Sequence, residues 1–129
     1  MTLLVGRGAR EAREEVLALA EKLGLDPQAF YDVGSVSTAQ SWSMTSYCPV
    51  PGVGPESPAD RGYQGGFATA LMLKDLRLSQ QAATSVDADT PMGQLATELY
   101  TSFVETEDGR GRDFSAMLPR LAARGRNAG

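Results

Sequence analysis

The sequence predicts an all-α fold, and three observations support that prediction. Apolar residues recur every three and four positions along several stretches, which is the spacing of one helix face. No window alternates apolar and polar residues as a half-buried strand does. The pairs Asp26-Pro27 and Thr90-Pro91 precede apolar stretches and are typical helix starts, because the first residue caps the helix and proline suits its first turn. The 129 residues fit one helical domain over positions 1–129.

The first three helices are predicted from their local patterns. A long apolar stripe defines the first, and Gly24 suits the left-handed position just past its end. The second begins at the Asp26 cap and ends at Gly34. A shorter helix is expected around residues 39–47, after a Ser37 or Thr38 cap. The residues expected to face inward are Ala12, Val16, Leu19, Ala20 and Leu23 in the first helix, and Phe30, Tyr31 and Val33 in the second.

A loop dense in proline and glycine is expected over residues 49–66. Four of the seven prolines lie between Pro49 and Pro58, which excludes a regular helix or a central strand. Loops of this length are uncommon in compact domains and are usually functional or disordered. The functional option is favoured because Val50, Val53 and Tyr63 provide apolar anchors.

Three further helices complete the predicted fold. One covers residues 67–84, the next starts at Thr90-Pro91, and the last starts at an Asp113 cap. Pro119 counts against a regular last helix, because proline removes one backbone hydrogen bond. The apolar face of the helix after Thr90 comprises Met92, Leu95, Ala96, Leu99 and Phe103, and that of the last helix comprises Phe114, Met117, Leu118 and Leu121.

Composition excludes several classes of function. The chain has no histidine and one cysteine, Cys48, so neither the usual Cys/His zinc site nor a histidine-dependent catalytic triad can form. The single thiol fits a reducing, cytoplasmic setting. A net charge of −4 argues against nucleic-acid binding, and no apolar run reaches the length that a membrane helix needs. We therefore expect a mildly acidic cytoplasmic protein without metal, nucleic-acid or membrane partners.

The most informative charged residues are Lys74 and Asp75, in the helix over residues 67–84. On a helical wheel an apolar arc begins at Phe67 and includes Leu71, Leu76 and Leu78. Asp75 falls within this arc, and Lys74 falls at its edge. A carboxylate on a core-facing stripe is costly unless it is paired or hydrogen-bonded. The pair is therefore either a structural ion pair or capping contact, or the polar lining of a cleft beside the loop at residues 49–66.

Two other features allow a structural and a functional interpretation. Trp42 and Tyr47 either pack into the core with their polar atoms bonded, or form the wall of a ligand site. The arginines from Arg110 to Arg126 are interpreted as a solvated face, because Asp113 interrupts them and the chain is acidic.

Three runs of this sequence resemble one family of enzymes. They are Trp42-Ser-Met-Thr-Ser-Tyr47-Cys-Pro-Val-Pro-Gly52-Val, Tyr63-Gln-Gly-Gly-Phe67, and Leu71-Met-Leu-Lys74-Asp75-Leu. Together with Thr90-Pro91-Met-Gly93 and Asp113-Phe114-Ser115, they look like the C-terminal domain of 3-hydroxyisobutyrate dehydrogenase, a β-hydroxyacid dehydrogenase. The match covers roughly residues 15–118. It implies a helical bundle similar to the C-terminal domain of 6-phosphogluconate dehydrogenase-like enzymes, which closes the active site and forms dimers.

The resemblance also implies a reaction and a set of site residues. The family passes hydride from 3-hydroxyisobutyrate to NAD, giving methylmalonate semialdehyde in valine catabolism. By this resemblance Lys74 contacts the cofactor near its ribose and nicotinamide, Asp75 holds that lysine in place, and Phe67 packs at the cofactor side. Trp42 and Tyr47 correspond to aromatic walls of the substrate pocket.

The sequence also departs from the family pattern. The family's general-base lysine has no counterpart, because the two lysines, Lys22 and Lys74, match other positions and the catalytic one would fall just before Met1. The glycine-rich dinucleotide fingerprint is missing too. The resemblance therefore predicts a closing domain that is inactive alone and works as a homo-oligomer or with a separate dinucleotide-binding domain. The charged residues 7–14 favour a different function, a non-catalytic helical interaction module derived from the same scaffold.

Overall fold

The computed structural model describes residues 14–106 and 108–124, and within them the regular structure is entirely helical. The described part of the first helix, α1, covers residues 14–22. The other elements, in chain order, are α2 (Pro27–Gly34), α3 (Trp42–Thr45), a 3₁₀ helix (Pro58–Arg61), α4 (Thr69–Ser85), α5 (Pro91–Glu105), a 3₁₀ turn (Phe114–Ala116) and α6 (Met117–Arg124). The all-α prediction is confirmed. No helix in the described ranges is long and apolar enough to cross a membrane.

Helices α4 and α5 form the centre of the fold. They pack side by side, joined by the short segment at residues 86–90, and the C-terminal turn closes over them. The buried side of α4 is centred on Met72 and Leu76, and the fully buried Tyr100 from α5 donates its hydroxyl to the carbonyl oxygen of Phe114 at 3.1 Å. The main core cluster contains Ala59, Tyr63, Met72, Leu73, Leu76, Ala96, Tyr100, Phe103, Val104, Phe114, Ala116 and Met117.

Several helix starts lie where the sequence predicted them. Asp26 caps α2 by accepting from the Gln28 N–H, and Pro91 is the first residue of α5. Asp113 caps the 3₁₀ turn before α6, and Pro119 lies in the first turn of α6, where proline is tolerated. The predicted short third helix was wrong in extent: α3 is one turn long and is capped by Ser41, not by Ser37 or Thr38.

The expected inward faces were only partly right. In α1, Leu17, Ala18 and Ala20 are buried, and they pack with Leu118 in a second, smaller cluster. The predicted stripe instead lies on the surface at Val16, Leu19 and Leu23, and Ala12 lies outside the described residues. Five other residues that were predicted to face inward are also exposed: Val33 in α2, Leu71 and Leu78 in α4, and Met92 and Leu95 in α5. Their neighbours fill the core, so these side chains form apolar patches on the surface.

The loop over residues 49–66 is held by side-chain bonds to its backbone. The Asp60 carboxylate accepts the Gly52 N–H at 2.7 Å and the Ser57 N–H at 2.9 Å, and these bonds lower the pKa of Asp60. The Tyr63 hydroxyl donates to the carbonyl oxygen of Pro49 at 2.8 Å. Tyr63 and Val53 are buried and Val50 is partly buried, so the three predicted anchors do attach the loop to the fold.

The alkaline stability of the protein should depend on Tyr63. Burial is the main cause that raises the pKa of Tyr63 to about 12, against an ordinary value of 10.0. Below pH 10 both the folded and the unfolded state keep the phenol proton; between pH 10 and 12 the unfolded state loses it first, so stability falls by roughly 2–3 kcal/mol over that range. Tyr63→Phe should cost about 1 kcal/mol at neutral pH, because the bond to Pro49 is lost, and should remove this alkaline loss.

Urea denaturation of the parent and of Tyr63→Phe between pH 8 and 12 measures this effect. The difference in unfolding free energy between the two proteins should shrink above pH 10 and then change sign. An unchanged difference over the whole range would mean that the folded state does not hold the Tyr63 proton more tightly than the unfolded state.

Candidate functional site

Three aromatic rings form a stacked column that runs from the surface into the core. The Trp42 and Tyr47 ring centroids lie 5.2 Å apart at an interplanar angle of 22°, and those of Tyr47 and Phe114 lie 5.3 Å apart at 6°. Exposure decreases along the column: Trp42 is 56% exposed, Tyr47 is partly buried and Phe114 is buried. We call these three rings the aromatic column. Its outer end exposes an aromatic ring to solvent, and aromatic and apolar side chains are the usual lining of ligand sites.

Local sequence explains how the column forms. The Ser41 side chain caps α3 by accepting from the Met44 N–H, so Trp42 is the first residue of that single turn. Tyr47 lies two residues after this turn, and its ring stacks on the Trp42 ring. Phe114 reaches the column from the other end of the chain, because Asp113 caps the 3₁₀ turn that begins with it.

A buried carboxylate lies at the inner side of the column. Asp113 is fully buried, and its Oδ1 accepts from the Tyr47 hydroxyl at 2.7 Å and from the Phe67 N–H at 2.8 Å. Its Oδ2 accepts from the Ser115 N–H at 3.0 Å and from the Ser115 hydroxyl. The burial of a charge is compensated when both oxygens are hydrogen-bonded in this way.

Backbone bonds hold the segment before α4 against the segment before α6. The Phe114 N–H donates to the Phe67 carbonyl oxygen at 2.9 Å, and the Thr69 N–H donates to the Arg112 carbonyl oxygen at 2.8 Å. The Phe67 ring meets the Phe114 ring edge-on, with centroids 6.4 Å apart. The structure therefore brings together Trp42, Tyr47 and Phe67, three of the five predicted site residues.

Lys74 lies in a separate groove on the exposed side of α4. The groove has a volume of about 290 Å³, and Lys74, Arg77 and Arg110 supply its cationic groups. Leu73 and Val104 are its buried apolar residues, and none of the column residues lines it. Arg77 also pairs with the Glu105 carboxylate at 3.0 Å. A cationic groove of this kind suits an anionic group.

The inferred arrangement of Lys74 and Asp75 needs correction. The core-facing side of α4 is centred on Met72 and Leu76, so Asp75 is partly buried at the margin of that face. Successive helical residues point about 100° apart, and Asp75 is not among the residues lining the Lys74 groove. Asp75 therefore does not line the groove on α4 together with Lys74, and its role in holding that lysine stays a prediction.

The C-terminal arginines also differ from the predicted solvated face. The Arg112 guanidinium carbon lies 5.4 Å from the centroid of the Tyr63 ring. Arg120 is buried: its guanidinium lies 5.6 Å from the Phe103 centroid and donates to the Ser102 hydroxyl at 3.2 Å. Arg110 and Arg124 are exposed, and Arg126 lies outside the described residues. Two of these arginines thus pack against aromatic rings of the core.

Sequence reasoning missed two parts of the site. Asp113 was predicted only as a cap, because no local pattern connects it with Tyr47, which lies 66 residues earlier. Arg77 could have been found from its position one helical turn after Lys74, on the same exposed face. Within the ranges that the structure describes, no group of histidine, cysteine and acidic side chains could hold a metal ion.

Comparisons with known proteins identify the class to which this helical fold belongs. A family model described as "NAD-binding of NADP-dependent 3-hydroxyisobutyrate dehydrogenase" matches residues 4–121. A probable 3-hydroxyisobutyrate dehydrogenase of Mycobacterium tuberculosis is 43% identical over 110 residues, which is 85% of this chain and 37% of that protein. The mitochondrial 3-hydroxyisobutyrate dehydrogenase of Homo sapiens is 43% identical over 107 residues, which is 83% of this chain and 32% of that protein.

A solved structure gives the same result. The Mycobacterium tuberculosis 3-hydroxyisobutyrate dehydrogenase with L-serine superposes with a TM-score of 0.87 at 39% identity, covering 93% of this chain and 40% of that one. The fold is thus that of an all-helical dehydrogenase domain. The chain belongs to the 3-hydroxyisobutyrate dehydrogenase family, and it spans about a third of the length of the curated relatives that it matches.

Proposed function

We propose that this chain is the helical domain that closes the active site of an NAD-dependent 3-hydroxyisobutyrate dehydrogenase. In this proposal it acts with a dinucleotide-binding domain and is inactive without one. The observation that carries the proposal is the family match over residues 4–121, in a chain that has both an exposed aromatic column and a cationic groove on α4. The reaction would convert 3-hydroxyisobutyrate to methylmalonate semialdehyde in valine catabolism. The single cysteine, Cys48, fits a cytoplasmic setting.

The groove on α4 has the donor chemistry that a dinucleotide requires. Lys74, Arg77 and Arg110 can donate to phosphate and ribose oxygens, and Lys74 has no carboxylate among the described residues within ion-pair distance. Phe67 lies just before α4 and Lys74 lies in its second turn, and in this proposal the cofactor contacts both. The nicotinamide ring of a bound dinucleotide would accept the hydride. These residues would orient the dinucleotide and neutralise its phosphates.

The aromatic column would form the wall of the substrate pocket. The half-exposed Trp42 face can cover the short apolar part of a β-hydroxyacid and exclude water from it. Neither Trp42 nor Tyr47 would transfer the hydroxyl proton, because the family's general base is a lysine that has no counterpart among Lys22 and Lys74. This chain would therefore bind and orient the substrate without acting as its base.

Exposed apolar residues are consistent with this arrangement. Val16, Leu19 and Leu23 follow one another at helical spacing along α1, so they form one surface stripe. Such a stripe is typical of a surface that a protein partner covers. In the proposal, that partner is a second copy of the chain or the dinucleotide-binding domain.

A chimaeric enzyme tests the proposed function. This chain would replace the matching segment of the Mycobacterium tuberculosis relative, and NADH formation from 3-hydroxyisobutyrate would be followed by absorbance. We expect turnover by the chimaera and none by the chain alone. Lys74→Ala should raise the KM for NAD about 10- to 100-fold, since one charge-assisted hydrogen bond contributes roughly 1.5–3 kcal/mol.

The other lysine provides the matched control. Lys22 is exposed on α1, away from the groove and the column, so Lys22→Ala should leave both KM and kcat unchanged. Equal effects of the two substitutions would refute the role of Lys74. A chimaera that folds but neither binds NADH nor turns over would favour the alternative function, a non-catalytic interaction module that keeps the family's scaffold.

A further inference from the structure

Asp113 does two separate things, one with each carboxylate oxygen. Oδ2 accepts from the Ser115 N–H and hydroxyl, which caps the turn before α6. Oδ1 accepts from Tyr47 and from the Phe67 N–H, in segments 66 and 46 residues earlier in the chain. A helix cap needs only the first set of bonds. The second set has no role in capping and connects two of the predicted site residues.

The aromatic column needs the kind of restraint that Oδ1 provides. Stacked rings attract over a broad range of offsets, so stacking on Trp42 and Phe114 leaves the Tyr47 ring free to turn or slide within its plane. A hydrogen bond to a carboxylate is stronger than a neutral one and is directional. The 2.7 Å bond from the Tyr47 hydroxyl to Oδ1 therefore fixes the ring on which Trp42 rests.

We infer that Asp113 is a positioning residue for the substrate pocket, holding Tyr47 and the Phe67 backbone in one fixed relation through its Oδ1 atom. This inference rests on the proposed function for its effect on catalysis. Asp113 is fully buried and does not contact the substrate itself; it acts through the half-exposed end of the aromatic column. Gly66 leaves the space for this contact, because a Cβ there would lie 2.5 Å from the Tyr47 hydroxyl oxygen.

Two single substitutions separate positioning from capping in the chain itself. Tyr47→Phe removes a donor to Oδ1 and keeps the ring, whereas Ser115→Ala removes a donor to Oδ2. Trp42 is the only tryptophan, so its near-ultraviolet circular dichroism band and its quenching by acrylamide report on the column. We expect Tyr47→Phe to change both signals. Ser115→Ala should raise the unfolding equilibrium constant about tenfold and leave the Trp42 signals as they were.

A double-mutant cycle in the chimaeric enzyme tests the effect on the substrate. Asp113→Asn should raise the KM for 3-hydroxyisobutyrate about tenfold, with kcat changed less than about twofold, because the neutral amide cannot accept at both oxygen positions and any bond that it keeps to Tyr47 is no longer charge-assisted. In a Tyr47→Phe background, Asp113→Asn should raise KM less than about twofold further. That non-additivity is expected if Asp113 acts through Tyr47, and a purely structural carboxylate would not produce it.

Several results would overturn the inference. One is that Ser115→Ala alters the Trp42 signals as much as Tyr47→Phe does, or that neither alters them. Another is that the KM effects of Asp113→Asn and Tyr47→Phe multiply independently. An inactive chimaera would refute the proposed function only, because the Trp42 signals of the isolated chain still decide whether Asp113 holds the column. If Asp113→Asn does not fold, the comparison of Tyr47→Phe with Ser115→Ala decides alone.

Discussion

Gly66→Ala is expected to destabilise the fold by about 3 kcal/mol. Gly66 has a φ of +69°, which costs a residue with a Cβ roughly 1–2 kcal/mol. The added Cβ would also lie 2.6 Å from Pro58 Cγ and 2.5 Å from the Tyr47 hydroxyl oxygen, and it would press on the Asp113 carboxylate. Overpacking of this kind costs a further 1–3 kcal/mol or so. Urea denaturation measures the loss, and Trp42 fluorescence should report a disturbed column.

The adjacent glycine is a matched control for this substitution. Gly65 has a φ of +75°, and a Cβ there would have no atom within 4 Å. Gly65→Ala should therefore show only the backbone cost of about 1–2 kcal/mol and leave the column intact. If both variants lose the same free energy, the contact of Gly66 with Tyr47 and Asp113 has no effect on stability.

Local signals predicted the helices of this protein well. Asp26 and Pro91 mark the starts of α2 and α5 because a cap and a proline act within one turn. The short helix α3 was misplaced for a physical reason as well. Several serines and threonines precede Trp42, each able to cap a helix, and the sequence does not say which one does; in the structure it is Ser41.

Burial was predicted less well, because periodicity identifies an apolar face but not what covers it. In α4 the predicted arc contained Leu71, Leu76 and Leu78, yet only Leu76 is buried. The α5 helix packs on one side of that arc, whereas Leu71 and Leu78 on the other side stay about half exposed. The same holds for Leu23 in α1, which is 67% exposed. Apolar residues have the same helical spacing whether their face packs in the core or stays exposed, so this spacing alone does not predict burial.

The candidate site was predicted in part, and distance along the chain explains the limit. Tyr47 and Phe67 came from the resemblance to the family, and the structure brings them to one carboxylate. Asp113 also lies in a segment that resembles the family, but the only role predicted for it was that of a cap, because a cap is a local interaction. The hydrogen bond between Tyr47 and Asp113 joins residues 66 positions apart, and no repeating sequence pattern marks such a contact. Only the fold shows that the capping side chain also belongs to the site.

Phe114→Ala should be the most costly of the substitutions considered, with an expected loss of about 3–5 kcal/mol. Phe114 is buried in the main core cluster, where its ring stacks on Tyr47 and meets Phe67 edge-on. Alanine would leave a cavity beneath Tyr47, and the column would lose its inner support. Denaturation should record the lost free energy, and the Trp42 circular dichroism band should weaken because its ring partner becomes mobile.

Phe30→Ala separates a general loss of packing from damage to the column. Phe30 is partly buried and packs against the smaller cluster formed by Leu17, Ala18 and Leu118, and it is not part of the column. Phe30→Ala should lower the free energy of unfolding less than Phe114→Ala does, and it should leave the Trp42 band unchanged. A Trp42 band that responds equally to both substitutions would mean that Trp42 reports only overall stability. A band that responds to Phe114→Ala alone would mean that the outer face of the site is held in place from within the core.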